Sequence, residues 1–496
     1  MILRFLLPSF IAGAIWPQQQ QLLPQQQQRA WKPHPTSYLD GLRGIASVVV
    51  FFCHYTEANH RYILPTFGVN NKSQPSSLLQ LPILRCIFAG RPMVHIFFII
   101  SGFALSYSPV RSVQARNLQA CYKTLASSAF RRPFRLFGPC IVSTFLVMLM
   151  VQAGLIYKPL PSMSTQLWHW SDAVFHSLTW PWSWDLDLRP GYNIHLWTIP
   201  IEFVHSLLLF TVILVLSRVR LVVRLSTTVG LMVYFLACGK WAAFEFIGGM
   251  LLAEIHVWRS ARHSRTIWES DPEKETSDSR WGRRPAFMAL AWNGLHVAII
   301  LIAMYIGGWP NSGAEKTPGI RYLQAQTPRP FAAMGYLGQQ KFWFAICALF
   351  SVWSCGELGC VRRFLERPFS QYCGRISYAI YIVHGPILAM LQGMVVGSIY
   401  VPAKGEPGDK NYKPAISASG IKGRVGVEGP LQQMICWFLG LVVLTPAVVW
   451  TADVFWRAVD MPIVALAKRV EAVCLDEERE AESSPPAGYY HPLRQG

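Results

Sequence analysis

The chain has 496 residues, 52% of them hydrophobic and only 15% charged, with 45 Lys and Arg against 27 Asp and Glu for a net charge of +18. Soluble domains run nearer a quarter charged, and 13% aromatic residues with 19 Trp is more apolar surface than a soluble or disordered chain carries. The composition excludes a small soluble enzyme and argues against a nucleic-acid partner. It points to a polytopic membrane protein whose positive charge marks cytoplasmic loops.

In chain order, residues 1–37 read as an N-terminal tail. Within it, an apolar segment at 5–16 follows Arg4 like a short signal h-region, and the PQQQQLLPQQQQ run at 17–28 is a low-complexity spacer. A helical span needs roughly 20 mainly apolar residues. About ten segments qualify: 42–58, 92–110, 134–157, 195–217, 219–239, 241–258, 287–308, 342–360, 375–397 and 432–452. The fifth is interrupted at its start by Arg220 and Arg224. The predicted fold is therefore all-α, a polytopic membrane domain over 38–470 followed by a disordered tail at 471–496.

Charge sets the orientation. The loop at 110–135 carries Arg111, Arg116, Lys123, Arg131, Arg132 and Arg135 with no acid. The loop at 361–375 carries four arginines against Glu366, whereas 158–193 is sparse in cations. The positive-inside rule places these basic loops, and with ten spans both termini, in the cytoplasm. The one N-x-S/T sequon, Asn71-Lys72-Ser73, then falls in an extracytoplasmic loop, where an N-glycan is expected. The 11 cysteines are scattered, with no C-x-x-C and no zinc-site spacing, so no metal centre is expected.

The chemistry-bearing residues lie inside the spans. Arg43 and His54 are eleven residues apart, about three helical turns, so they share a face some 16 Å apart along the axis. An ionisable residue at that depth is a functional candidate, and neutral His suits a general base near pH 7. The plain alternative is an interhelical His and a snorkelling Arg. Ser101-Gly102-Phe103 puts a glycine where a ligand or another helix can approach. Arg131-Arg132-Pro133-Phe134-Arg135 reads either as ordinary positive-inside charge or as a fork for phosphate oxygens. Glu202 lies in the fourth span, where a carboxylate needs a reason. His384 precedes Gly385-Pro386 in the ninth, with Tyr381 a turn away, and His195 opens the fourth. Asp460 reads as a turn at the cytoplasmic surface and Glu254 as interfacial.

The order LDGLRGIA…H, FFIISGFALS, RRPFRL, LWTIPIEF and GRISYAIYIVHGPIL resembles the acyltransferase-3 family of integral membrane O-acyltransferases, from about Tyr38 to about Lys468. The WTIP variant, with Pro200 before Glu202, resembles the fungal branch, whose members are associated mostly with secondary metabolism. The resemblance implies ten helices and transfer of an acyl group, usually acetyl from acetyl-CoA, to a hydroxyl of a carbohydrate, lipid-like molecule or secondary metabolite. Acyl-CoA would be a co-substrate, with no permanently bound cofactor. The family's Arg–His motif falls on Arg43 and His54, its SGF segment on Ser101 to Ser106, its Arg-rich loop on Arg131, Arg132 and Arg135, and its fourth-span acid on Glu202. On this reading His54 and Glu202 are catalytic, and His54 either deprotonates the acceptor or carries the acyl group transiently. Arg43, Arg131, Arg132, Arg135, Ser101, Gly102 and Phe103 bind the donor, and His384, Tyr381 and His195 are further candidates. No fused SGNH esterase-like domain is seen, so the enzyme is expected to act alone in an endomembrane or the plasma membrane. The other large family of membrane O-acyltransferases carries a late intramembrane His, as His384 is here, but the first-span Arg–His pair fits acyltransferase-3 better. A transporter or scramblase using the same polar residues, or a receptor, is the alternative reading.

Overall fold

In lipid every backbone polar group must be satisfied within the protein, which leaves a sequence with these apolar runs little choice but helix. The computed structural model describes residues 7–9, 34–69, 76–269, 286–397, 420–426 and 429–475. Among them the secondary structure is helical apart from one isolated bridge, Pro65 with Ser312. The glutamine-rich run at 17–28, the Asn71 sequon and the chain beyond 475 lie outside the described residues. Of the apolar segment at 5–16, only 7–9 are described; there Ser9 donates its N–H and hydroxyl to the Asp453 carboxylate.

The principal helices are α1 (Ser37–Asn59), α2 (Gly90–Gln114), α3 (Leu118–Gln152), α4 (Met163–Ala173), α5 (Thr198–Leu216), α6 (Leu221–Ala237) and α7 (Trp241–Glu269). They continue with α8 (Ala286–Gly307), α9 (Gly335–Glu357), α10 (Gly359–Leu365), α11 (Pro368–Val395), α12 (Pro430–Phe455) and α13 (Met461–Cys474). Each of the ten predicted segments overlaps one of these helices. By length and composition, 6 helical stretches among the described residues can cross a membrane, or 7 if α9 and α10, bent by 93° at their junction, form one span. The protein is an integral membrane protein. α1 and α7 are absent from that set although each is long enough, because they carry the charged residues the interior uses. α6, at 17 residues, is apolar but short. α8 is peripheral, with only 6% of its apolar stretch buried inside the protein.

Two predicted loops turn out to be helix. Asn117 caps α3 by accepting the Ala120 N–H at 3.0 Å, and the 35-residue helix that follows is about 52 Å long, well beyond a hydrocarbon core of about 30 Å. Arg131, Arg132 and Arg135 therefore stand on a helix longer than a bilayer requires, not on a loop. Likewise Arg375 lies within α11, which Pro368 starts from its first position, where a missing N–H is harmless. Glu254, expected at the interface, is buried instead, and Arg224 donates to both of its oxygens at 2.5 and 2.9 Å. That pair is why the charged start of α6 is tolerated.

α1 is central, packed against α2 on one side and α11 on the other. The α1–α11 contact is backbone against backbone. A Cβ on Gly44 would stand 2.3 Å from the Gly374 nitrogen, and one on Gly374 would stand 2.2 Å from the Asp40 carbonyl oxygen. Small residues at such seams let membrane helices approach closely. Here the approach lets the Arg43 guanidinium donate to the Gly374 carbonyl at 3.1 Å.

Candidate active site

Two cavities flank the middle of α1. The first, about 450 Å³, is lined by Arg43 of α1, Ser101 of α2, Arg132 and Arg135 of α3, Thr198 and Glu202 of α5, and Arg375, Tyr378 and Tyr381 of α11, with Asp460 closing it. Four arginines thus face two carboxylates, and the cavity is electropositive. Arg132 is buried. Its Nη2 donates to the Glu202 carboxylate at 2.8 Å and its Nε to the Ser206 hydroxyl at 2.9 Å, while Ser101 donates to Glu202 at 3.1 Å. Pro200 sits in the first turn of α5, where helix N–H groups have no intrahelical partner. It therefore brings Glu202 into the wall without breaking the helix.

The second cavity, about 530 Å³, is lined by His54 and Glu57 of α1, Arg91 and His95 of α2, His195 and Trp197 at the entry to α5, Trp241 of α7, and Gln340, Lys341 and Phe344 of α9. Both volumes are within the range of small-molecule sites. The two cavities share Val94 in their walls. Thr198 and Tyr381, on the arginine side, have hydroxyls 2.7 Å apart, and the Tyr381 hydroxyl also donates to the carbonyl of His195, on the histidine side.

At this partition three imidazoles from distant parts of the chain converge. The His54 and His195 ring centroids are 3.9 Å apart, His195 and His384 4.8 Å, and His54 and His384 5.3 Å, the last pair stacked at 16°. The motif His384-Gly385-Pro386 builds this meeting. Proline has no N–H, so the carbonyl of Ile382, four residues before Pro386, is left without its helix partner. The Asn193 side chain donates to that carbonyl at 2.8 Å, and its oxygen accepts the His195 N–H at 3.3 Å. The missing side chain of Gly385 makes room for the imidazole, since a Cβ there would stand 2.5 Å from His195 Cδ2. Tyr192, just upstream, anchors the same approach: its hydroxyl accepts from Gln166 at 2.7 Å, and burial pushes the phenol above its ordinary pKa.

The tautomer of His384 follows from its contacts. Nδ1 lies 3.0 Å from the Ile380 carbonyl, which can only accept, so Nδ1 carries the proton and Nε2 keeps its lone pair. Nε2 is buried with no hydrogen-bond partner. His54 Nδ1 faces Glu57 at 3.7 Å, and Glu57 is held by the Asn311 amide at 2.9 Å.

Of the residues singled out in the sequence, Arg43, Ser101, Arg132, Arg135, Glu202 and Tyr381 meet in the arginine cavity. His54 and His195 line the histidine cavity, with His384 behind them. Glu202 and His54 do not meet, and the carboxylate balances Arg132. Arg131 turns away to Glu471 at 3.1 Å. Gly102 is a helix contact, its α-carbon pressed to α7 with the Phe246 oxygen 2.3 Å from where a Cβ would be; Phe103 beside it is buried in the core. Asp460, read as a surface turn, instead lines the arginine cavity. No sequence motif marks Asn193; the one signal for it is the unpartnered Ile382 carbonyl that Pro386 implies. Glu57, Arg91 and Lys341 carry no local motif.

Comparison with known proteins identifies the family. A family model described as an acyltransferase domain matches residues 36–454. The chain is 27% identical over 465 residues to the O-acetyltransferase PaAT-1 of Phomopsis amygdali, covering 88% of this chain and 84% of that one. It is 24% identical to the acyltransferase clz18 of Cochliobolus lunatus, over 70% of this chain and 82% of the relative. It is also 24% identical to the acyltransferase R4 of a Phoma species, over 71% and 82%. No solved structure matches the chain.

Proposed function

The chain belongs to the acyltransferase-domain family and is an enzyme that transfers acyl groups, and on that premise we propose that it moves an acetyl group from cytoplasmic acetyl-CoA to an acceptor hydroxyl. The observation that carries this reading is the pair of adjoining cavities, one ringed by arginines and the other lined by His54. The name of the Phomopsis relative, an O-acetyltransferase, supports acetyl as the group and oxygen as its destination.

On this reading the chain crosses the membrane about ten times with both termini in the cytoplasm, and the arginine cavity opens there, at the Arg43 end of α1. Arg43, Arg132, Arg135 and Arg375 hold the phosphates of the donor, since guanidinium forks match phosphate oxygens. Glu202 fixes Arg132 in place. The thioester arm passes the Thr198–Tyr381 partition, so that its carbonyl lies beside His54. The acceptor, a carbohydrate, lipid-like molecule or secondary metabolite, occupies the histidine cavity, where Trp197, Trp241 and Phe344 give it apolar faces and Gln340 a hydrogen-bond partner.

His54 takes the proton of the acceptor hydroxyl as the oxygen attacks the thioester carbonyl. The new carbon–oxygen bond forms, the carbon–sulfur bond breaks, and the departing thiolate receives the proton from the imidazolium. Glu57, 3.7 Å from Nδ1, orients the ring and stabilises its cationic form. The compartment is an endomembrane or the plasma membrane, with Asn71 glycosylated on the far side.

The test is metabolite and glycan profiling of a strain lacking the protein. A species lighter by one acetyl unit is expected to accumulate, and wild-type protein restores the product. Loss of a positioned base removes about 10²–10⁴-fold of rate, so His54→Ala, inserted in the membrane at wild-type level, is expected not to restore it. Normal acylation by that mutant would falsify the mechanism.

A further inference from the structure

The histidine cluster has a second chemistry that general-base catalysis does not use. His54, His195 and His384 each offer a ring nitrogen, and these three atoms lie within 4.8 Å of one another. Metal-binding histidines characteristically donate their other N–H to a backbone carbonyl or a carboxylate, which fixes the tautomer and aims the lone pair at the ion. His384 does so to the Ile380 carbonyl, leaving Nε2 buried, without a partner and facing the other two rings. His54 Nδ1 is directed at Glu57. His195 is seated by Asn193 and Gly385.

We infer that His54, His195 and His384 form a binding site for one divalent transition-metal ion, of the zinc class, that occupies the position of the acceptor hydroxyl and holds the enzyme inactive. Three neutral imidazoles and an open fourth position are a known zinc donor set. Tetrahedral bonds of about 2.0–2.1 Å require ligand nitrogens about 3.4 Å apart. The cluster must therefore close from its present 4.8 Å, and His54 and His195, which face the cavity, have room to do so. The fourth position opens into the histidine cavity, and Glu57 supplies the nearest negative charge. Calcium and magnesium are excluded, because they require oxygen ligands. The inference rests on the reading of His54 as the base, since an ion bound there takes the lone pair that deprotonates the acceptor.

The experiment uses the full chain purified in detergent, stripped with a chelator and titrated with Co²⁺ as a spectroscopic stand-in for Zn²⁺. One equivalent per chain, with the intense visible absorption of a tetrahedral cobalt site, is expected, and Zn²⁺ is expected to bleach it. His384→Ala and the gentler His384→Gln should each weaken binding about 100-fold or more, and Glu57→Gln about 10-fold, as loss of a carboxylate behind a ligating histidine does. His176→Ala, on an exposed histidine paired with Asp172, should bind as wild type. Zn²⁺ should also stop acyl transfer, and chelation should restore it. No tetrahedral spectrum in wild type, or unchanged binding in both His384 variants, overturns the metal site and leaves the transferase reading intact. A stoichiometric cobalt spectrum with transfer only in the metal-loaded form supports the site and overturns its inhibitory role; the same spectrum with no acetyl transfer in either form supports the site and overturns the acetyl-transfer reading instead.

Discussion

The arginine cavity and the histidine cavity are nearly equal in volume, about 450 and about 530 Å³, but they hold their polar groups differently. In the first, the deepest cation is fixed: Arg132 is locked between Glu202 and Ser206, and Arg43 is tied to Gly374. In the second, the deepest groups are imidazoles held from behind, with His384 Nε2 left without a partner. A site that binds a highly charged donor needs charge that does not move and whose desolvation is already compensated by fixed partners. A site that moves a proton needs a neutral lone pair with nothing competing for it. On the proposed reading, the same membrane domain provides both by separating them across one wall.

Five substitutions test that division, with Glu202→Gln as a compensating change. The largest effect is expected for Arg132→Ala, which leaves the Glu202 carboxylate facing the cavity without its cation. Breaking one side of a buried pair costs about 3–5 kcal/mol, so the melting temperature of the purified protein should fall steeply, and Glu202→Gln in the same chain should recover part of the loss. An unchanged melt would mean that the pair does not hold the wall.

Arg135→Ala should then raise KM for the acyl-CoA by about 10- to 150-fold, in line with about 1.5–3 kcal/mol for a hydrogen bond to a charged group, while KM for the acceptor stays put. Gln340→Ala should do the reverse. If either variant moves the wrong KM, the assignment of donor and acceptor to separate cavities fails.

Asn193→Ala removes the donor to the Ile382 carbonyl and the seat of His195. An effect of about 1–3 kcal/mol on stability is expected from the orphaned carbonyl, with kcat falling several-fold and donor KM unmoved in steady-state assays. The smallest effect is reserved for Arg131→Ala. Its partner Glu471 lies outside the cavity, the pair is worth about 1 kcal/mol or less, and donor KM should stay within twofold.

How much of this was legible depended on distance along the chain. Arg43 and His54 share one helix, and helical periodicity alone put them on one face. The arginines at 131–135 were visible as a run, but their roles were not: three cations so close look alike until the helix phase turns Arg132 and Arg135 inward and Arg131 towards Glu471. The meeting of His54, His195 and His384 spans more than three hundred residues of sequence, and no local pattern encodes it. Only Pro386, by freeing the Ile382 carbonyl, left a trace of the contact that Asn193 makes. The 6 helical stretches apolar enough to cross a membrane are legible as apolar runs, whereas α1, α6 and α7 fall outside that set. The helical continuation of α3 and α11 through 118–133 and 368–375 is not legible, because charged residues on a helix look, in composition, like charged residues on a loop.

The glycine seam between α1 and α11 has a mechanical consequence. With a hypothetical Cβ at Gly44 only 2.3 Å from the opposing Gly374 nitrogen, the two backbones already touch, and neither helix can slide or roll past the other without lifting away from it. α1 carries Arg43 at one end and His54 towards the other, and α11 carries Arg375 and His384. The seam therefore welds the two cavities into one rigid frame. A carrier that rocks its halves to expose a single pocket first on one side and then on the other needs this junction to give; a catalyst whose substrates arrive from opposite sides and whose framework stays still needs it not to.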